Sequence, residues 1–554
     1  MSNENVSRRE FLLRTATSAA TGAALLPGII VLSDHAAAAA EKTVSVKAGD
    51  PQVAQYALKI VSTTAAPDGR SREVFCYDGK IPGPVIRAKE GQTLKIKVAN
   101  QLKVPSSIHW HGMHQPGTWQ MDGVDGVSHP PIPPGEEFTY EFKATPAGTH
   151  WYHSHTGVQY SDGLFGPLIV DEATPPAKYD REETLLINDW FLAQSDAILA
   201  GLLKKSDKMA GMAGAKKADD DKSMPKGTGD MKGMAAKDAG KKTDGMKSVM
   251  APKAAKPDMA KGDMAKSDGA KSGMAGMAMG AKPDYGDVPF ESGLINGQGH
   301  FGKSGDSAPA VVKVKRGETL RLRLISGAST YQFRFQIDGH PLTVIASDGA
   351  PLTPVEVDSL LLSPGERYDV LLKANGNKAT WIRAVTLDGN EVKAILLYTD
   401  GQTGEIASGP VVWGKRELKP TQMKSPTPVK LDDTPQEIKF TLGGTMSPYA
   451  WNINGQEWPK ADPIKLAADQ PVRFIMENPT MMDHPFHLHG HYFRVLGSPD
   501  NLNLTDPPEK DSINIPAKST VVLQWRTINP GHWFFHCHIE WHLATGMARV
   551  IEIA

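Results

Sequence analysis

The sequence predicts an all-β protein built of three β-sandwich domains, and three observations carry that prediction. Short runs alternating polar and apolar residues recur along the chain, as in Gln92-Thr93-Leu94-Lys95-Ile96-Lys97-Val98 and Phe138-Thr139-Tyr140-Glu141-Phe142. Such runs of period two are half-buried strands. Two segments also repeat. Gly91-Gln92-Thr93-Leu94-Lys95-Ile96 is matched by Gly317-Glu318-Thr319-Leu320-Arg321-Leu322, with Asp469-Gln470-Pro471-Val472-Arg473-Phe474 in a similar place in the last third. Pro134-Gly135-Glu136-Glu137-Phe138-Thr139-Tyr140 is matched by Pro364-Gly365-Glu366-Arg367-Tyr368-Asp369-Val370. Strands repeated at matching places imply copies of one sandwich unit. Finally, 554 residues accommodate three copies, and 53 glycines with 41 prolines suit a turn-rich chain.

The N-terminus does not belong to this pattern. Ser7-Arg8-Arg9-Glu10-Phe11-Leu12-Leu13 precedes an apolar stretch and then the alanine run from Ala36 to Ala40. It looks like a twin-arginine secretion signal, residues 1–40, cleaved near Ala40. Gly22 and Pro27 interrupt the apolar stretch, which is too short to read as a membrane span. The expected location is the periplasm or the outside of a bacterial cell.

The first domain is assigned to residues 41–172. In it Gly148-Thr149-His150-Trp151-Tyr152-His153-Ser154-His155 reads as a strand ending at a site, and Gly166-Pro167-Leu168-Ile169-Val170 closes the unit. The second, 173–425, starts near Glu183-Thr184-Leu185-Leu186-Ile187-Asn188-Asp189-Trp190. A low-complexity insertion, 204–282, interrupts it with Ala, Gly, Lys, Asp and Met and no periodicity, so it is expected to be disordered. Yet the insertion holds 12 of the 21 methionines, among them Met274, Met277 and Met279. Thioethers are soft ligands suited to Cu(I), so copper capture is the sharper reading and a drifted linker the plainer one. The third domain is assigned to 426–554.

Formal net charge is −1, from 61 basic and 62 acidic side chains, which gives no indication of a nucleic-acid partner. The two cysteines are Cys76 and Cys537. No disulfide is expected, because it would consume a thiol placed for metal binding. Cys76, in a strand-like run, reads as a small buried hydrophobe.

Metal-ligand patterns dominate the rest. Of 18 histidines, 11 fall in four short stretches: His109-Trp110-His111, His153-Ser154-His155, His484 to His491, and His536 to His542. A strand puts residues i and i+2 on one face, so each pair can project into one cavity. In His536-Cys537-His538 the cysteine then points away from both histidines, and two adjoining metal sites are joined through a few bonds. A thiolate, imidazoles and the following Met547 form the ligand set of an electron-transfer copper site. Zinc sites favour closed sets of four with other spacings. A mononuclear copper beside a polynuclear copper site is the better fit.

These four motifs, in order and at full spacing, resemble those of the multicopper oxidases, the laccase and cuprous-oxidase superfamily of Greek-key cupredoxin domains. The methionine-rich insertion and the twin-arginine signal are similar to those of bacterial copper-resistance members. The resemblance implies four copper ions. The type 1 copper would take His484, Cys537, His542 and Met547; the type 2 copper His109 and His487; the type 3 pair His111, His153, His155, His489, His536 and His538. His491 falls outside the set, and a ligating Met547 implies a lower potential than in fungal laccases with a non-ligating residue there. Electrons would pass from the type 1 copper through Cys537 to His536 and His538, and four would reduce O2 to water. Asp122, where relatives place a channel aspartate, and Glu540, which aligns with an aspartate of fungal laccases, are candidates for proton handling; Asp122 also reads as a turn residue before Gly123, and Glu540 as a residue that only orients ligands. Leu543 replaces a second acid found in some relatives. Because the ligands come from the first and third domains, those two must meet, with the middle copy as spacer; His300 and His340 read as ordinary.

The expected substrate is Cu(I), gathered by the insertion and oxidised in copper tolerance. Phenols and aromatic amines are the alternative, and a non-catalytic copper store is a reading that eight clustered histidines disfavour. A two-domain nitrite reductase is a weaker rival, because its copper sites use fewer histidines. A monomer is expected.

Overall fold

The computed structural model describes residues 52–204, 286–301, 307–402, 404–406 and 409–554. The expected signal, 1–40, and the insertion beyond Lys204 lie outside these residues. Among the described residues no helix is long and apolar enough to cross a membrane.

Among the described residues six sheets, two in each third of the chain, form three cupredoxin-like sandwiches. The alternation read from the sequence explains each one. In strand Thr93–Asn100, Leu94, Ile96 and Val98 are buried while Lys95 and Lys97 are exposed. Each such buried side chain stabilises the fold by about 1.5–3 kcal/mol. The sequence repeats correspond to equivalent strands. In each third the first strand pairs in parallel with the repeated one: Val53 with Thr93, Leu320 with Arg181, Gln436 with Val472. The repeated strand then pairs antiparallel with the next, Glu137–Lys143, Arg367–Lys373 and Ser519–Arg526 respectively.

Two sheets carry the histidine motifs. In the first domain the strand His109–His111 lies against Gly148–His153, with His109 opposite His153 and His111 opposite Trp151. In the third domain His484–Leu488 lies against Gly531–Cys537, with Phe486 opposite Cys537 and His487 opposite His536. A single helical turn, Glu540–Ala544, follows and carries His542.

Before the insertion, a helix over 195–204 rests Ile198, Leu199 and Leu202 on the third-domain core. After it, Val288 joins the same core. Both cysteines are unpaired and buried. Cys76 packs with Val74, Trp190 and Leu294, and burial pushes its thiol up to about 11.

Candidate metal centre

Cys537 ends its strand buried, facing the core of the third domain. Its Sγ lies 3.5 Å from His542 Nδ1 and 3.8 Å from His484 Nδ1, and those two nitrogens are 3.1 Å apart. The outer nitrogens are held separately. His484 Nε2 meets Thr480 Oγ1 at 2.9 Å, and His542 Nε2 meets Asp287 Oδ2 at 2.7 Å. Trp451 stacks on His542 with ring centres 3.9 Å apart. Met547 is buried in the same cluster, and its carbonyl accepts the Cys537 N–H at 3.0 Å.

On the opposite side of this strand His536 joins a cavity shared by the first and third domains. His109 Nε2 lies 3.4 Å from His487 Nε2. His536 Nε2 lies 3.4 Å from His155 Nε2 and 3.0 Å from His489 Nε2. His111 and His153 group with His109 within ligand reach. His538 forms no such close group, but its ring lies 5.2 Å from that of His111 and 5.4 Å from that of His153, centre to centre. A small cavity of about 10 Å³, room for about one water, is lined by His153, His155, His536, His538, Tyr160 and Glu540. His491 stays outside, its ring against Trp525. His300 stacks on Trp381 and His340 bonds Tyr398, both away from the cavity.

The far nitrogens of most of these rings are spoken for. His109 Nδ1 donates to Asp122 O, His153 Nδ1 to Ser154 O, His487 Nδ1 to Asp511 O and His536 Nδ1 to Cys537 O, each at 2.9 Å. His489 Nδ1 meets Asp122 Oδ2 at 2.7 Å. Such partners fix which nitrogen carries the proton, so the opposite one turns its lone pair inward. Burial, reinforced by neighbouring imidazoles, holds His111, His153, His155, His489, His536 and His538 well below the usual histidine range. Burial thus disfavours the charged form of these rings, and those bonded through Nδ1 to a carbonyl turn an acceptor nitrogen inward.

That arrangement is the test of fit for copper. His111 Nδ1, His153 Nε2 and both nitrogens of His538 are buried without a hydrogen-bond partner. Buried polar atoms left alone are costly, and a cation at the centre would satisfy them. Burial also pushes the Cys537 thiol far up, so its thiolate needs a metal beside it. One soft thiolate with two imidazoles suits copper.

Glu540 is buried, with its carboxyl held well above the usual range by burial and then by Asp162. It accepts the Tyr160 N–H at 3.1 Å and the Ser161 hydroxyl. Asp122 is buried between His109 and His489.

The middle domain, expected as a spacer, does more. The Ser329 carbonyl accepts the Glu540 N–H at 3.0 Å. Arg367 grips Asp511 with both guanidinium tips, at 2.6 and 2.7 Å, and Asp511 approaches His111 Nε2 at 3.3 Å. Sequence reading passed over Asp287, Thr480, Arg367 and Asp511. No local motif marks them, although Arg367 sits in the repeated Pro-Gly-Glu turn.

Family models for multicopper oxidases match residues 59–175, 263–400 and 432–554. Laccase-2 of Botryotinia fuckeliana is 30% identical, covering 89% of this chain and 81% of that one. Multicopper oxidase MmcO of Mycobacterium tuberculosis is 29% identical over 86% of this chain and 82% of its own. The crystal structure of a laccase from Botrytis aclada superposes with a TM-score of 0.69 at 26% identity, covering 90% and 87% of the two chains. Fet3p, described as a multicopper oxidase that functions in iron import, shares the fold with a TM-score of 0.71 at 20% identity, covering 90% of each. The converging imidazoles, the buried cysteine between them and these matches agree, and this chain belongs to the multicopper oxidase family, whose members couple oxidation of a substrate to reduction of O2.

Proposed function

We propose that this protein is a cuprous oxidase of copper tolerance, exported through a twin-arginine signal to the periplasm or beyond and acting as a monomer of three domains, 41–172, 173–425 and 426–554. His484, Cys537, His542 and Met547 would hold a type 1 copper, His109 and His487 a type 2 copper, and His111, His153, His155, His489, His536 and His538 a type 3 pair. When bound, the copper ions supply one-electron transfer at the cysteine and four-electron reduction of O2 among the histidines. Four Cu(I) and four protons per O2 give four Cu(II) and two waters.

The protein's own groups have separable tasks. The His536-Cys537-His538 backbone is the covalent link between the two ligand sets. Asp122 orients His489 through Nδ1. Burial disfavours the charged form of Glu540, whose side chain lines the cavity and would serve there as a proton carrier. Burial of the cavity excludes bulk water.

One observation carries the choice of Cu(I). Asp287, on the outer nitrogen of His542, lies just after the methionine-rich insertion, and the helix before the insertion packs on the same domain core. The carboxylate and the ring are both buried, so the charge would favour a cationic donor through its field at the site rather than by direct contact. Exposed Met481, three residues before His484, adds a thioether on the loop leading to the other imidazole. Phenols are a second donor class, favoured by the several relatives that are laccases. Oxygen consumption by copper-loaded protein, with Cu(I) and with a phenol, tests the reading. Deleting 204–282 is expected to abolish Cu(I) oxidation and to keep or raise phenol oxidation; unchanged Cu(I) turnover contradicts it.

A further inference from the structure

The Pro-Gly-Glu turn occurs twice with the same backbone. In the first domain the Gly135 N–H donates to Asn100 O at 2.8 Å, and the Asn100 N–H to Glu136 O at 2.9 Å. In the middle domain the Gly365 N–H donates to Ser326 O at 3.1 Å, and the Ser326 N–H to Glu366 O at 3.0 Å. Both glycines are left-handed, with φ of +79° and +87°. Their surroundings differ. Gly135 is exposed, and a Cβ there would meet nothing within 4 Å. A Cβ on Gly365 would lie 2.9 Å from His538 Cδ2, 3.1 Å from His111 Cε1 and 3.2 Å from Ser512 Oγ.

A turn from the domain without paired histidines therefore lies against two cavity imidazoles, one from each of the other domains. Arg367 fixes the turn in place. Its Nη1 donates to Gly365 O at 3.1 Å, its Nε to Thr149 O at 3.1 Å, and its fork closes on Asp511. One buried guanidinium thus binds all three domains. Ser512, beside Asp511, places its hydroxyl 3.1 Å from His111 Nε2 and 3.3 Å from His487 Nδ1.

We propose that the middle-domain turn from Pro364 to Arg367 is a positioning wall of the histidine cavity, with Gly365 setting how closely His111 and His538 converge and Arg367 clamping the wall to Asp511. The inference rests on the reading that this cavity holds the copper cluster. A methyl group on Gly365 would force one or both rings outward, and a ligand set displaced by a few tenths of an ångström binds its ions less well. The cysteine site, on the other side of the strand, would be untouched.

Gly365→Ala and Gly135→Ala test this as a pair, because both carry the same cost of a left-handed backbone. The readouts are copper per chain, the thiolate absorption per chain, and the melting temperature of copper-free protein. Gly135→Ala is expected to match the wild type in copper and absorption. Gly365→Ala is expected to keep the thiolate band, lose copper from the cavity, and reduce O2 about 10–100-fold more slowly. Equal copper content and equal O2 reduction in the two variants would overturn the wall, as would loss of both centres in equal proportion. If Gly365→Ala does not accumulate, Arg367→Lys decides: it keeps the charge against Asp511 and loses the fork. Reduced cavity copper with an intact thiolate band supports the clamp, and wild-type copper content overturns it. A wild-type protein lacking the thiolate band and four coppers would instead overturn the functional reading, and this inference with it.

Discussion

The cysteine site and the histidine cavity share one strand but are assembled differently. Cys537, His484 and His542 belong to one sandwich, on two paired strands and the helical turn that follows them. The cavity takes His109, His111, His153 and His155 from the first domain and His487, His489, His536 and His538 from the third, with Gly365 and Arg367 of the middle domain closing in behind. The first site takes all its candidate ligands from one sandwich and borrows from the middle domain only their outer supports, Asp287 on His542 and Ser329 on the turn that carries it. The second depends on the docking of three domains, so its geometry is set by contacts far from any ligand. Damage to domain packing should therefore reach the cavity before it reaches the cysteine.

Changes at the shared strand should have the largest effect. Cys537→Ser is expected to reduce turnover with every donor to the uncatalysed background and to abolish the thiolate absorption, while the histidine cavity still takes up copper. Retained turnover in oxygen-uptake assays would show that electrons enter the cavity by another path. Asp122→Asn probes the cavity alone, because its carboxylate is bonded to His489 and its carbonyl to His109. O2 reduction should fall by about 10–100-fold with the thiolate band unchanged. An equal loss of that band would mean that the two sites are not independent.

Asp287→Asn probes the cysteine site alone. Losing the negative charge on His542 Nε2 should raise the potential of the bound metal and slow Cu(I) oxidation by about tenfold, the lower end for an outer partner of a ligand. Potentiometric titration of the thiolate band checks this. Copper removal should have the smallest and broadest effect, a lower melting temperature. A ligand present at 1,000 times its Kd stabilises by about 4 kcal/mol, and calorimetry of loaded and stripped protein measures the shift.

The histidine clusters were legible in the sequence as candidate ligands because strand geometry converts i, i+2 spacing into a shared face. His109 and His111 lie within one strand as that rule requires, whereas His155 lies two residues past the end of the strand that carries His153. The three sandwiches were legible for a related reason, since repeated strands leave repeated patterns at residues 91, 317 and 469. The partners of the ligands were not. Asp287 lies 255 residues from His542, and Arg367 lies 144 from Asp511, so only the folded chain gives them meaning. The repeated turn shows the limit most clearly. Gly135 and Gly365 have the same local sequence and the same backbone, and only tertiary packing makes one a surface turn and the other a neighbour of His111 and His538.

On the proposed reading Cys537 binds copper and is wired to an imidazole cavity between the first and third domains. The most direct measurement is the optical spectrum of copper-replete protein, taken with its copper content, before and after one reductive titration under exclusion of O2. An intense thiolate absorption toward the red end of the visible spectrum, four coppers per chain, bleaching on reduction, and return of the band when O2 is admitted are expected on that reading. A copper-replete sample without that band, or one whose band does not return with O2, would contradict it.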